Sequence, residues 1–427
     1  MMQLPAMIRC AGAGQGSPAT FRLGTLRRWI AARAFALAAS RPRSYLLVTV
    51  LCAAAGYGYL LLFPWLVYSG VSAVYDALQA TPAVAWNRVL AGSLVAVPAA
   101  LVSYRLARFR PARPGGFTLE PATAPKVWQL VAELGAHYRR IRIDRIVLTG
   151  SFGIDIRKTP HGCLPVGSSS TLAIGLPLLQ CLSALQFRVA LARRLGQYTG
   201  RYNRLENWLY GLRTVWPRYG THSAQSGFGY QPIGWFFAAY TPVYRALTLP
   251  VAHREELAAD RYAMEIFTDE QVLETVTTEM VCRTYLAQRY WPLVREIEAR
   301  EGQALPGSHP GMARVLRAGL RDNRAGEWLE RTRCAVPDWH DPVPALMTRV
   351  RHIGHNEPRM TGLAADPAAA TYLATVMAAS AGAPGIGDTD TAARQEQPLP
   401  AGHPLVWLAH RARCFLDRWH TARPLSH

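Results

Sequence analysis

The 427-residue sequence predicts a mainly helical α+β domain with a small sheet, preceded by a two-helix transmembrane hairpin. Three observations predict this arrangement. Thirty-two consecutive uncharged positions separate Arg43 from Asp76, and a second apolar run follows at residues 89–104. Strand-like runs are short and gathered between Arg145 and Ile174. Most of the remaining soluble part is patterned at the 3.6-residue helical period.

Composition agrees with membrane segments, because half of the residues are hydrophobic and only 18% are charged. The net charge of +19 rests almost wholly on arginine, since Lys126 and Lys158 are the only lysines. That bias is the mark of a GC-rich coding sequence rather than of a demand for guanidinium chemistry. No zinc knuckle, aromatic RNA-binding motif or basic run with interleaved aromatics is present, so nucleic acid is not expected as a partner. The seven cysteines are scattered without a C-x-x-C pair, which suits free thiols in a reducing compartment.

The first 44 residues form a basic segment. The hairpin occupies residues 45–106, with spans near 45–68 and 85–104. A bilayer core needs roughly 20 apolar residues in a helix, which the first run exceeds. Pro64 is placed to kink or end that span, with Trp65 and Tyr68 as interfacial anchors. The second span is full length only if Arg88 snorkels and residues 83–86 are included. Arginines flank both outer ends, at Arg41, Arg43, Arg105 and Arg108, and the intervening loop carries only Asp76. The positive-inside tendency then puts both termini and the large domain on the cytoplasmic side.

The soluble domain is expected at residues 117–358, after a linker at 111–116. Residues 125–138 carry helical spacing, and Arg145-Ile-Val-Leu148 reads as a strand. Further extended runs at 152–156 and 170–174 flank a turn-rich segment, 159–169. Ser183-Ala-Leu-Gln186 is a capping box that opens a helix over 184–198. A helix is expected at 206–216, then a long loop at 217–232 rich in Gly, Ser and aromatics. Residues 234–252 are apolar, but Pro242, Arg245 and Pro250 argue for a buried or interfacial helix rather than a third span. Helices follow over 253–268 and 269–298. Residues 359–427 form an Ala-, Gly- and Pro-rich tail with one terminal helix at 405–418.

The chemistry centres on Ala192-Arg193-Arg194-Leu195-Gly196-Gln197. In a zinc-peptidase HExxH helix, positions i and i+4 share a face and aim two imidazoles at one metal ion. The glutamate between them activates the metal-bound water. This stretch has that shape with arginine at the first histidine, arginine at the glutamate and glutamine at the second histidine.

Around it, Leu176-Pro-Leu-Leu-Gln180, Gln186-Phe187-Arg188, Trp208-Leu-Tyr210, Glu256-Leu-Ala-Ala-Asp260-Arg261 and Arg289-Tyr-Trp-Pro292 stand in order. Leu346-x-x-Arg349-Val350 continues the series. Together they resemble the HtpX-type membrane zinc metallopeptidases and their CAAX-prenyl-protease relatives, over roughly residues 45–355. The resemblance implies a zincin-like fold. It also implies a bacterial inner-membrane location and metalloendopeptidase activity in intact members. Its third zinc ligand falls on Glu256 and its outer carboxylate on Asp260. The departures are Arg193, Arg194 and Gln197, with Val343-Pro344 where the family often has His-Pro, and Gly153 where asparagine is frequent.

Guanidinium groups carry only donors and stay charged, so they cannot ligate a cation. The sequence therefore leads to a zinc-less pseudopeptidase that binds membrane or other proteins, with no cofactor and no intact catalytic residue. Arg193 and Arg194 are expected to pair with Glu256 and Asp260, since a buried carboxylate needs a partner. The bland alternative points both arginines at solvent. Two functional rivals stand beside this reading. One is an active zinc peptidase with a site rearranged around His253 or His340; the other is a plain membrane anchor or scaffold. His161, Cys163, His222, His352, His355 and Ser168–Ser170 form no competing constellation, with the last two histidines expected on an exposed helix.

Overall fold

A long amino-terminal helical spine organises the molecule. The computed structural model describes residues 18–79, 85–108, 116–138, 141–160, 168–199, 203–225, 230–301, 312–320, 324–335 and 341–374. Most of the expected linker lies outside these residues. So do His161, Cys163, His340 and the terminal helix expected at 405–418.

Helix α1 (Pro18–Ser40) is followed after Arg41 by α2 (Pro42–Leu78) and α3 (Trp86–Ala107). Both α2 and α3 are long and apolar enough to cross a membrane. The helix expected to stop near residue 68 instead runs unbroken through Pro64 to Leu78, about 55 Å at 1.5 Å per residue. Trp65 and Tyr68 therefore stand exposed along the helix rather than at its end. Small residues explain the continuation, because they let the second half of α2 lie directly on α3. A Cβ added to Gly70 would fall 2.8 Å from Ala96 Cβ and from the Gly92 carbonyl oxygen. Close backbone approach of this kind stabilises paired helices where no hydrophobic effect drives them together. The basic leader is also more than an arm, since α1 packs Ala31 against Ala246 and Leu249.

The sheet has the order β1-β2-β4-β3. It comprises β1 (Phe117–Leu119), β2 (Arg145–Thr149), β3 (Ile154–Pro160) and β4 (Ser168–Gly175). Strand β2 pairs parallel with β4, while β1 and β3 are antiparallel edges. The β3–β4 hairpin is longer than its sequence suggested, because pairing extends to Pro160 and Ser168. Helices α4 (Pro125–His137), α5 (Leu176–Cys181) and α6 (Ala184–Thr199) share one core with it, including Leu130, Ile146, Leu172, Phe187 and Leu191. Each such side chain contributes about 1.5–3 kcal/mol when fully buried.

Helix α7 (Arg204–Gln225) passes through Pro217 into the segment expected to be a loop. Trp216 explains this: its ring is fully buried against Phe237 and Tyr240, so packing overrides the breaker. The apolar stretch at 234–252 is two helices, α8 (Gln231–Leu247) and α9 (Leu249–Met264), which meet at Thr248 ahead of Pro250. Helix α8 runs antiparallel to the first half of α2. Tyr45, Tyr240 and Tyr59 donate to the carbonyls of Leu247, Cys52 and Pro232 at 3.0, 2.6 and 2.9 Å. The Tyr59 and Phe236 rings stack 3.8 Å apart.

Helix α10 (Asp269–Tyr285) passes through a π turn at Leu286–Tyr290 into α11 (Trp291–Glu301). Next come α12 (Met312–Gly319), α13 (Arg324–Cys334), α14 (Leu346–Ile353) and α15 (Ala368–Tyr372). The folded unit continues past the expected boundary at 358. Ala368 N–H donates to the Leu182 carbonyl at 2.8 Å, and Tyr372 packs on Phe187.

Candidate functional site: a buried arginine–carboxylate network

Helix α6 is fixed at its start by the capping box. Gln186 N–H donates to Ser183 Oγ, and Ser183 N–H donates to Gln186 Oε1, each at 3.1 Å. From there the helix runs between the sheet and α9. Gly196 permits this crossing, since a Cβ there would meet Tyr262 Cβ at 2.3 Å. The close approach sets Arg193 and Arg194 against the carboxylates of α9.

Arg193 is 1% exposed and Asp260 is fully buried. Arg193 Nε donates to Asp260 Oδ1 at 2.8 Å, and its Nη1 donates to Glu279 Oε2 at 2.7 Å. Its Nη2 faces Glu256 Oε2 at 3.6 Å. Arg194 Nη1 donates to Glu256 Oε1 and to Gln197 Oε1, at 2.7 and 2.8 Å. Tyr210 adds an O–H bond to Glu256 Oε1 at 3.2 Å. Both arginines thus turn inward to the carboxylates rather than outward to solvent.

Three partners had no role in the sequence reading, although Arg349 stood in one of its motifs. Glu279 of α10 takes the far end of Arg193. Arg349 of α14 grips Asp260 with Nε at 2.9 Å and Nη2 at 2.5 Å, the bidentate fork that makes such pairs strong. Asn207 of α7 donates to the Gln197 carbonyl at 2.7 Å and to Glu255 Oε2 at 3.2 Å. The signal for Arg349 lay in its spacing. It sits among Leu346, Val350 and Ile353 on the buried stripe of α14. Glu279 gave a weaker signal, as a lone carboxylate between Val276 and Cys282 on a helix buried nearly all round.

Two buried guanidinium groups, of Arg193 and Arg349, and the part-buried one of Arg194 therefore face three buried carboxylates, of Glu256, Asp260 and Glu279. Burial pushes the Glu279 carboxyl upward, but Arg193 and then Arg283 outweigh it and hold it at about 2. Burial acts likewise on Glu256, where Arg194, Arg193 and Arg349 prevail and keep it well below the ordinary carboxylate range. Burial lowers Arg194, yet Glu256, Tyr210 and Glu279 together more than compensate and its value rises. Next to the network, burial raises the Glu255 carboxyl to about 7.

The donor set does not fit a zinc ion. A zinc site needs three or four electron-pair donors. Arg193 and Arg194 offer none, Gln197 Oε1 is taken by Arg194, and Glu256 Oε1 is taken by Arg194 and Tyr210. Among the described residues no group of three His, Cys, Asp or Glu is placed to hold a metal.

His253 is engaged elsewhere, against the Phe35 ring at 5.3 Å and 3.3 Å from the Asp341 carbonyl. Burial lowers its pKa. His352 is half-buried on α14 rather than exposed, and its Nε2 accepts from Arg261 at 3.1 Å. His355 lies past the helix end at Gly354. Ser168–Ser170 belong to β4, and Ser170 Oγ bonds the Tyr198 hydroxyl at 2.6 Å. Gly153 adopts φ +151 and would leave room for a Cβ.

Comparison with protein-family models, curated proteins and solved structures gives no match.

Proposed function

We propose that this protein is a membrane-embedded relative of the zinc metallopeptidases in which arginines have replaced the metal, and that it binds proteins without cutting them. The single observation that carries the reading is the buried network. Arg193 and Arg194 stand on α6 at the spacing of a first ligand and a general base, and their charge is used up on Glu256, Asp260 and Glu279. A site so arranged offers a metal a single carboxylate oxygen without a hydrogen bond, Glu256 Oε2, and sets the Arg193 guanidinium against it. What remains is a rigid joint between α6, α9, α10 and α14 that holds the sheet in place.

The free edge of β3 is the surface this reading offers to an extended segment of another protein. Among the described residues β3 pairs only with β4, and main-chain addition to such an edge is a common mode of peptide recognition. The bacterial inner membrane is the proposed location, with the domain on the cytoplasmic side.

Purified full-length protein in lipid nanodiscs, supplied with zinc, should retain unfolded β-casein and leave it intact. Casein cleavage that stops on adding a chelator would overturn the proposal in favour of an active metallopeptidase.

A further inference from the structure

Helix α1 is more than a packing element, because its outward side is both apolar and basic. Leu26 and Trp29 are 49% and 58% exposed, and Arg28 and Arg33 are exposed on either side of Trp29. The Arg33 guanidinium lies 5.5 Å from the Trp29 ring centroid. No Asp or Glu precedes Asp76 anywhere in the sequence, so α1 itself carries no acid to offset its arginines. The inward side packs on the protein, with Phe35 still 39% exposed. Ala31 packs on Ala246 and Leu249, Ala34 joins the Tyr45 and Tyr244 cluster, and Phe35 lies on His253.

The helix also sits at a defined level. It joins α2 through Arg41, and after Arg43 the uncharged run of α2 begins. If that run enters a bilayer, the end of α1 lies where the headgroups begin. Large apolar side chains mixed with arginine, on a helix without acid, match an anionic interface. The rings and leucine enter the acyl boundary while guanidinium groups bind phosphate.

We infer that α1 is an interfacial helix whose outward face, Leu26, Arg28, Trp29 and Arg33, binds the anionic phospholipid surface beside the hairpin. This rests on the reading of α2 and α3 as membrane spans. The bound helix would fix the domain's tilt on the membrane, which a two-helix hairpin alone leaves free.

Hydrogen exchange on full-length protein tests it, in nanodiscs of phosphatidylcholine alone or with about 30% phosphatidylglycerol. Amides of α1 should exchange at least roughly tenfold more slowly with the anionic lipid, and the difference should vanish in R28Q/R33Q. Substituting L26S/W29S should remove it too, while amides of α2 and α3 stay protected in every sample. Protected hairpin amides with α1 exchange equal in the two lipids would overturn the assignment of α1. Unprotected hairpin amides would instead overturn the membrane reading beneath it.

Discussion

Asp260 takes three charge-assisted hydrogen bonds in a setting without solvent, two of them from Arg349. Replacing Arg349 by alanine leaves that carboxylate short of two donors and the network one positive charge down. Breaking a buried pair from one side costs about 3–5 kcal/mol. Arg349→Ala should lower the unfolding free energy by that amount, read by chemical denaturation, and Arg349→Lys should recover only part, because lysine lacks the fork. A loss under about 1 kcal/mol would mean the pairing is not as buried as its geometry indicates.

Two carboxylates titrate with opposite sign. Glu279 is held at about 2, below its ordinary 4.5. Its stabilisation is complete above about pH 4.5 and disappears as the pH falls toward 2. Glu255 is raised to about 7 from the same ordinary value, by burial first and then by Glu206 and Glu256. Between those values the unfolded chain has already released the proton, so Glu255 removes stability as the pH rises from about 4.5 to 7. Glu255→Gln keeps an acceptor for Asn207. It should raise the melting temperature at pH 8 and leave it unchanged near pH 4.5. An equal effect at both pH values would exclude titration as the cause.

At the scale of elements, the site depends on how closely α6 and α9 cross. Gly196→Ala would drive a methyl group into Tyr262 Cβ, and overpacking of this kind typically costs about 1–3 kcal/mol. The substitution should lower the melting temperature and, by parting the helices, make the unfolding of the network less cooperative. An unchanged melting curve would show that the two helices can give way at no cost.

The same crossing shows where sequence reasoning succeeds and where it ends. Helix α6 was legible because its start is a local device, the Ser183–Gln186 box, and its apolar spacing is regular. Strands β2 and β4 were legible as short apolar runs. The passage of α7 through Pro217 was not, because a proline signals a break locally while Trp216 is held by rings from α8 and α2. The candidate site divides in the same way. Arg193, Arg194, Glu256 and Asp260 stand in recognisable motifs. Arg349 stands in a motif too, but without a role, and Glu279 is a single charge on an apolar helix face; only the assembled helices show that each has a partner.

Across the whole molecule, the hairpin and the domain are joined by α2, which lies on α3 along its second half and on α8 along its first. Tyrosine hydroxyls bond helix carbonyls at several levels of that seam, including Tyr230 to Arg105 at 2.5 Å beside α3. The domain is thus carried on the hairpin by direct contacts. The charge balance inside it points the same way as the donor chemistry: guanidinium groups neutralise the carboxylates of Glu256, Asp260 and Glu279.

Zinc stoichiometry, measured by atomic emission on full-length protein saturated with zinc and then freed of excess, tests this most directly. The network predicts far less than one equivalent per chain, unchanged by Glu256→Ala. One equivalent, lost in that variant, would contradict it.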